Sequence, residues 1–155
     1  MEIADTTVIS NFTLINRLDI LANTIKLCTT EEVIEELKAC AEKGILMFEF
    51  DVDIKIISMD DEERLAFLKL TEKFGRGEAS CLAIGMHRKV SILTDDFDAR
   101  RFAQRTGIPV SGTIGVLVNA VDRGIISKEE GNELLNRMIE KGFYSPFETL
   151  DQLLL

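Results

Sequence analysis

Lys89–Thr113 reads KVSILTDDFDARRFAQRTGIPVSGT. VSILT (90–94) is a short apolar run that stops abruptly at Thr94, the pattern of a buried strand. Residues 96–106 read as a helix, and IPVSG (108–112) as a second, shorter strand. Buried-type strands alternating with helices predict a parallel sheet with helices on both faces. In such folds ligands sit beyond the C-terminal ends of the strands. That is where Asp95, Asp96 and Asp98 crowd together, with Arg100 and Arg101 directly behind them. Carboxylates packed at a strand end raise the free energy unless something positive lies among them.

Working outward, the same alternation continues. MEIAD reads as a strand ending at Asp5, and residues 7–22 as one helix with Val8, Phe12, Ile15, Leu18 and Leu21 on a common face. TIKLC (24–28) is a second strand. TTEEVIEELKACAEKG is a helix with Thr30 as its cap, Glu31 and Glu32 as solvated first-turn acids, and Gly44 as its stop. DIKIIS (53–58) is a third strand. Residues 60–73 form a helix on which Leu65, Leu68 and Phe74 repeat, and GRGEASCLAIGMHR opens another. TIGVLVNAVDRG and KEEGNELLNRMIEKG read as two further helices, and SPFETLDQLLL as a helix packed on the core. The expected architecture is a three-layer α/β/α fold with a central parallel β-sheet of about five strands, forming one domain over 1–155 with a C-terminal helical extension from about 127. Glu2 in so short a first strand predicts an imperfectly packed edge there.

The chain has 155 residues, enough for an ordinary core, and no run approaches the ~18 apolar residues of a membrane span. MEIADTTVIS has no basic region ahead of an apolar core, so no signal peptide is expected, and the cytoplasm is the expected location. Cys28, Cys40 and Cys81 lack metal-ligand spacing and read as free thiols. The formal net charge of −9 runs against a broad, nonspecific grip on nucleic acid, leaves room for a local basic rim, and suits a basic protein partner. His87, beside Arg88 and Lys89, reads as a surface or turn residue rather than a general base. The Asp-x-Asp letters of Asp51 and Asp53 precede a strand instead of ending one, which sets aside a phosphatase nucleophile.

Asp5, one of Glu35 and Glu36, Glu78, and Asp95 or Asp96 lie where one sheet edge would gather them. At ~5 Å and an effective dielectric of ~20, each carboxylate pair costs about 3 kcal/mol. Six such pairs exceed the ~5–15 kcal/mol stability of a typical domain. A converged cluster therefore protonates or holds a cation, and an all-oxygen donor set suits Mg²⁺ or Mn²⁺. Each acid also has an ordinary reading: Asp5 as a helix cap, Glu78 as a first-turn acid after Gly75 and Gly77, and TDDFD as an N-cap box.

ADTTVISNF, TTEEVIEEL, GRGEASCLAIG, ILTDDFDARRFAQRTGIPVSGTIGVLVNAVDRGIIS and LLNRMIEKGFYSP together resemble the PIN-domain family. The likeness is to its small prokaryotic VapC-like branch, with Gly-Glu-Ala at 77–79 and Gly-Thr-x-Gly at 112–115. This resemblance implies a metal-dependent endoribonuclease using Mg²⁺ or Mn²⁺, often the toxin of a VapBC-type toxin–antitoxin pair and commonly a homodimer. It implies Asp5, Glu36, Glu78, Asp95 and Asp96 as catalytic acids, with Asp5, Glu78, Asp95 and Asp96 on the metal. The usual Thr-x-Asp pattern selects Asp96, whereas the branch pattern selects Asp95. Thr6 or Thr7 resembles a hydroxyl that orients the first acid or a water. Thr113 either caps its helix or meets a ligand, and Arg100 contacts substrate phosphate or pairs with a site carboxylate. The competing class is a PIN-fold nucleic-acid-binding or protein-assembly module without nuclease activity.

Overall fold

The computed structural model describes residues 1–45 and 52–155; Asp51 of the Asp-x-Asp letters lies outside them. Five strands, β1 (Glu2–Ala4), β2 (Leu27–Thr30), β3 (Lys55–Ile57), β4 (Ser91–Leu93) and β5 (Val110–Ser111), form one all-parallel sheet in the order β3-β2-β1-β4-β5. Eight helices are described: α1 (Thr6–Leu14), α2 (Leu18–Thr24), α3 (Glu31–Glu42), α4 (Asp61–Leu70), α5 (Arg76–Arg88), α6 (Phe97–Arg105), α7 (Thr113–Asp122) and α8 (Lys128–Glu140). The fold is the three-layer α/β/α arrangement expected. Helices α1, α2, α7 and α8 pack with one another, and α4, α5 and α6 form a second group through α5, which lies against β1, β2 and β4.

The strand order places the site. The chain steps outward from β1 to β2 to β3, then returns to lay β4 on the other side of β1. Connections therefore leave β1 and β4 in opposite directions and open a crevice at their C-terminal ends. Asp5 follows β1 and Thr94-Asp95-Asp96 follow β4. The Asp5 N–H donates to the Leu93 carbonyl at 2.9 Å, which locks the two ends together.

Several elements differ from their sequence reading. The helix expected over 7–22 is two helices, α1 and α2, broken where Asn16 turns with φ of +57°. Asparagine tolerates this left-handed conformation, and the periodicity carried across because both helices bury their apolar side. The strand expected over 24–28 starts instead at Leu27, and Thr24 ends α2. Thr29 and Thr30 are buried strand residues whose hydroxyls are engaged, Thr29 by the Ala4 carbonyl and Thr30 by Ser80. On α4, Leu65 and Leu68 face solvent and Phe67 is the core residue. Glu32 is buried rather than solvated. β1 is the central strand, with Ile3 and Ala4 fully buried, so no frayed edge exists there. The C-terminal segment is no α-helix: after α8 it runs irregularly, anchored by buried Leu150, to a short 3-10 turn at Asp151–Leu153. Cys28 and Cys81 are buried and Cys40 half-buried, all as free thiols.

Candidate active site

Asp5 is fully buried and is the N-cap of α1. Its Oδ1 accepts from the Thr7 hydroxyl (2.6 Å) and the Val8 N–H (3.2 Å). Its Oδ2 is buried with no hydrogen-bond partner among the described residues. The cap and ligand readings of Asp5 are thus not exclusive: one oxygen caps, and the other is free. Burial pushes this carboxyl up to about 6. The hydrogen bonds to Thr7 and Val8 and the nearby Thr94 hydroxyl oppose the shift, and the charge of Asp95 adds to it. The Thr94 hydroxyl nevertheless accepts from the Asp96 N–H (3.1 Å) and makes no hydrogen bond to Oδ2.

Of the two glutamates on α3, Glu36 turns inward and Glu35 is exposed. Glu36 accepts from the Thr6 hydroxyl (2.5 Å) and from the Gly77 N–H (2.7 Å). A Cβ on residue 77 would lie 2.6 Å from Glu36 Oε2 and 2.9 Å from Thr6 Oγ1, so only glycine lets the start of α5 approach this carboxylate. The next residue, Glu78, is half-buried and makes no hydrogen bond among the described residues. Burial first, then the charges of Asp96, Asp5, Glu36 and Asp98, push it up to about 7. Those causes place Glu78 in the field of acids from three separate segments, the start of α1, α3 and the start of α6.

The two aspartates after β4 have different work. Asp95 accepts from the Thr113 N–H (2.9 Å), the Thr113 hydroxyl (2.5 Å) and Asn11 Nδ2 (2.9 Å). Its own N–H donates to the Thr7 hydroxyl (2.9 Å). Both its oxygens are engaged, and it ties β4 to the N-terminus of α7. Asp96 caps α6 through Oδ1, which accepts from the Ala99 N–H (2.8 Å). Its charge is the largest single one acting on Glu78. Thr113 is the first residue of α7 rather than its cap, a place held by Gly112, and it is spent on Asp95. Among the described residues Arg100 pairs with no carboxylate; its Nη1 donates to the Thr94 carbonyl at 3.0 Å. His87 sits in the last turn of α5, with Nδ1 2.9 Å from the Ala83 carbonyl, remote in sequence and bonding from these acids.

Asn11 was missed by the sequence reading. It also reaches the Thr113 hydroxyl (3.1 Å). The signal was present: Thr7 and Asn11 are four apart on a helix whose neighbouring residues, Val8, Ile9 and Phe12, are fully buried. The Gly77 N–H as a clamp on Glu36 left no signal beyond the glycine itself.

The model of the PIN-domain family matches residues 1–155, the whole chain. The chain belongs to the PIN-domain family, whose members are generally metal-dependent nucleases. No curated protein and no solved structure matches it significantly.

The residues present fit a hard divalent cation in their chemistry. Every donor is a carboxylate oxygen, and the orphaned Asp5 Oδ2 is a buried acceptor that needs a positive partner. Among the described residues no three His, Cys, Asp or Glu side chains are grouped to hold an ion.

Proposed function

We propose that the chain is a metal-dependent endoribonuclease that hydrolyses RNA phosphodiester bonds and serves as the toxin of a VapBC-type pair. The observation that carries this reading is the buried Oδ2 of Asp5, unpartnered among the described residues, at the crevice between β1 and β4, on a carboxyl whose charge, with that of Asp96, acts on Glu78. Asp5, Glu78 and Asp96 would hold the cation, Mg²⁺ or Mn²⁺. When bound, such an ion stabilises negative charge on phosphate oxygens and acidifies water. Asp95 acts as a positioning residue, since its oxygens are committed to Thr113 and Asn11. Glu36, gripped by Thr6 and Gly77, fixes the start of α5 and thereby Glu78. Burial and the neighbouring acids hold the Glu78 carboxyl near 7 without metal, so a cation held there would take the place of its proton. Hydrolysis in this manner leaves a 5′-phosphate and a 3′-hydroxyl. A homodimer in the cytoplasm, neutralised by a small basic antitoxin, completes the reading; the net charge of −9 supports the partner's sign.

The alternative is a PIN-fold nucleic-acid-binding or assembly module without nuclease activity. One observation favours it: no metal-ready grouping exists among the described residues. Melting curves with added Mn²⁺ or Mg²⁺, on the wild type and on Asp5→Asn, separate the two, followed by cleavage assays on single-stranded RNA. The nuclease reading expects metal to raise the melting temperature of the wild type alone, and cleavage to disappear in Asp5→Asn. Normal cleavage by Asp5→Asn overturns this site, and absence of both metal response and cleavage in the wild type leaves the module reading.

A further inference from the structure

Beside the acids lies a groove of about 620 Å³ that the proposed chemistry does not use. The start of α6, the N-terminal half of α7 and the C-terminal segment after α8 line it. Phe97, Phe143, Tyr144 and Phe147 give it an aromatic wall, and Asp95 and Arg100 stand on its lining. Four of the chain's ten Phe and Tyr residues gather here. Phe97 is 69% exposed and Tyr144 89% exposed, a large cost in contact with water that packing within the chain does not explain. The guanidinium of Arg100 spends one N–H on the Thr94 carbonyl, and its other donors make no hydrogen bond among the described residues.

We propose that this groove takes an unpaired nucleobase of a single-stranded nucleic acid whose backbone passes the acid cluster. Flat aromatic rings stack on any base, and a guanidinium at the rim meets the adjoining phosphate. The volume falls within the ~300–1,000 Å³ of small-ligand sites, room for one or two nucleotides and not for a duplex. A second copy of the chain or a peptide would satisfy the aromatic wall as well. Neither accounts for a guanidinium on the same lining as Asp95, whose charge reaches Asp5 and so sets the groove beside the acids. The groove thus selects single strands. The inference rests on the nuclease reading only for which bond is cut; strand binding itself does not need the metal.

The probe is a short single-stranded RNA carrying 2-aminopurine, titrated in EDTA against wild type, Phe97→Ala, Tyr144→Ala and Tyr144→Phe. Base stacking changes the probe's fluorescence, and removal of one ring should weaken binding roughly 5- to 50-fold. Tyr144→Phe, which keeps the ring, should bind as the wild type does. A duplex of equal length should bind far more weakly. Equal affinity and an unchanged signal in Tyr144→Ala, or equal binding of the duplex, overturns the inference. So does a shift from dimer to monomer in Tyr144→Ala with strand binding intact, which would assign the groove to a second copy. A stacking signal in a protein that cleaves nothing with any metal removes the nuclease reading and leaves this one standing. Cleavage with no effect of the ring variants on probe binding does the reverse.

Discussion

A single oxygen atom, Asp5 Oδ2, links stability to chemistry at the residue scale. Its carboxyl lies near 6 against an ordinary 3.8, so the folded state binds a proton more tightly than the unfolded chain. Stability from this group is present below the ordinary value and is lost as pH rises through about 6. The loss amounts to about 3 kcal/mol at pH 8. Asp5→Asn keeps an acceptor for Thr7 and Val8 and removes the charge. Its melting temperature should therefore exceed that of the metal-free wild type by several degrees at pH 8, with the gap closing near pH 4. Added Mg²⁺ should close the gap at pH 8 by raising the wild type alone. A wild type that melts higher than Asp5→Asn at pH 8 without metal would show that the buried charge is already compensated. Gly77 carries a second prediction. Gly77→Ala drives a methyl against Glu36 Oε2 and Thr6 Oγ1, so the Thr6–Glu36 contact has to shift. A stability cost of about 1–2 kcal/mol and a larger, at least tenfold, loss of cleavage are expected; cleavage at the wild-type rate would show that Glu36 placement does not matter. At this scale residue types and their order offered the acids as candidates, and the fold sets Asp5, Glu36, Asp96 and Asp98 close enough to Glu78 to act on its carboxyl. The sequence left Asp95 and Asp96 unresolved, because only the third dimension shows Thr113 and Asn11 occupying one of them.

Helices and strands were legible wherever a local rule decides them. Thr30 caps α3 through the Val33 N–H, and Asp60 with Glu63 forms the capping box of α4. The misreadings share one cause. Apolar periodicity reports a buried face but not where the backbone breaks, so α1 and α2 merged across Asn16. Nor does it say which of two apolar stripes faces inward, so Leu65 and Leu68 displaced Phe67. The element most exposed to a wrong guess is the α4–α5 pair. Arg88, at the end of α5, grips Glu63 with Nε on Oε1 at 2.6 Å and Nη2 on Oε2 at 3.0 Å. Glu63 is 1% exposed and Arg88 about a third exposed. The Arg88 hydrogen bond holds the Glu63 carboxyl below its ordinary value, with burial opposing it. This contribution is present above the ordinary carboxylate range and is lost as pH falls through it. Arg88→Met strands a buried carboxylate and should cost about 2 kcal/mol at pH 7, between the values for surface and buried pairs. The cost should shrink toward pH 4, read by urea denaturation at each pH. An equal cost at both pH values would assign it to lost packing of the arginine stem instead.

For the whole molecule the question is how a chain of net charge −9 holds a polyanion. Composition runs against a broad basic face and leaves a local rim open, since charge counts carry no positions. Folding supplies the positions: Lys73, Arg101 and Arg105 border one depression on the α6 side together with the single acid Asp98, and none of the three cations is in an ion pair among the described residues. Arg101 also lies over the Phe97 ring, 5.5 Å from its centroid, at the mouth of the aromatic groove. A strand leaving the groove past the acids would meet these cations next. Single strands release about 0.7 counterion per neutralised phosphate. Three contacts predict a slope of about −2 for log affinity against log salt, shallow beside that of a basic nucleic-acid-binding protein. The measurement is made on Asp5→Asn without divalent metal, so that no strand is cut, with KCl varied. Changing both Arg101 and Arg105 to alanine should flatten the slope to about −0.7 while the base-stacking signal from the groove persists. A slope untouched by the double change would route the backbone elsewhere on the surface. A stacking signal that vanished with it would mean that the rim, rather than the rings, holds the strand in place.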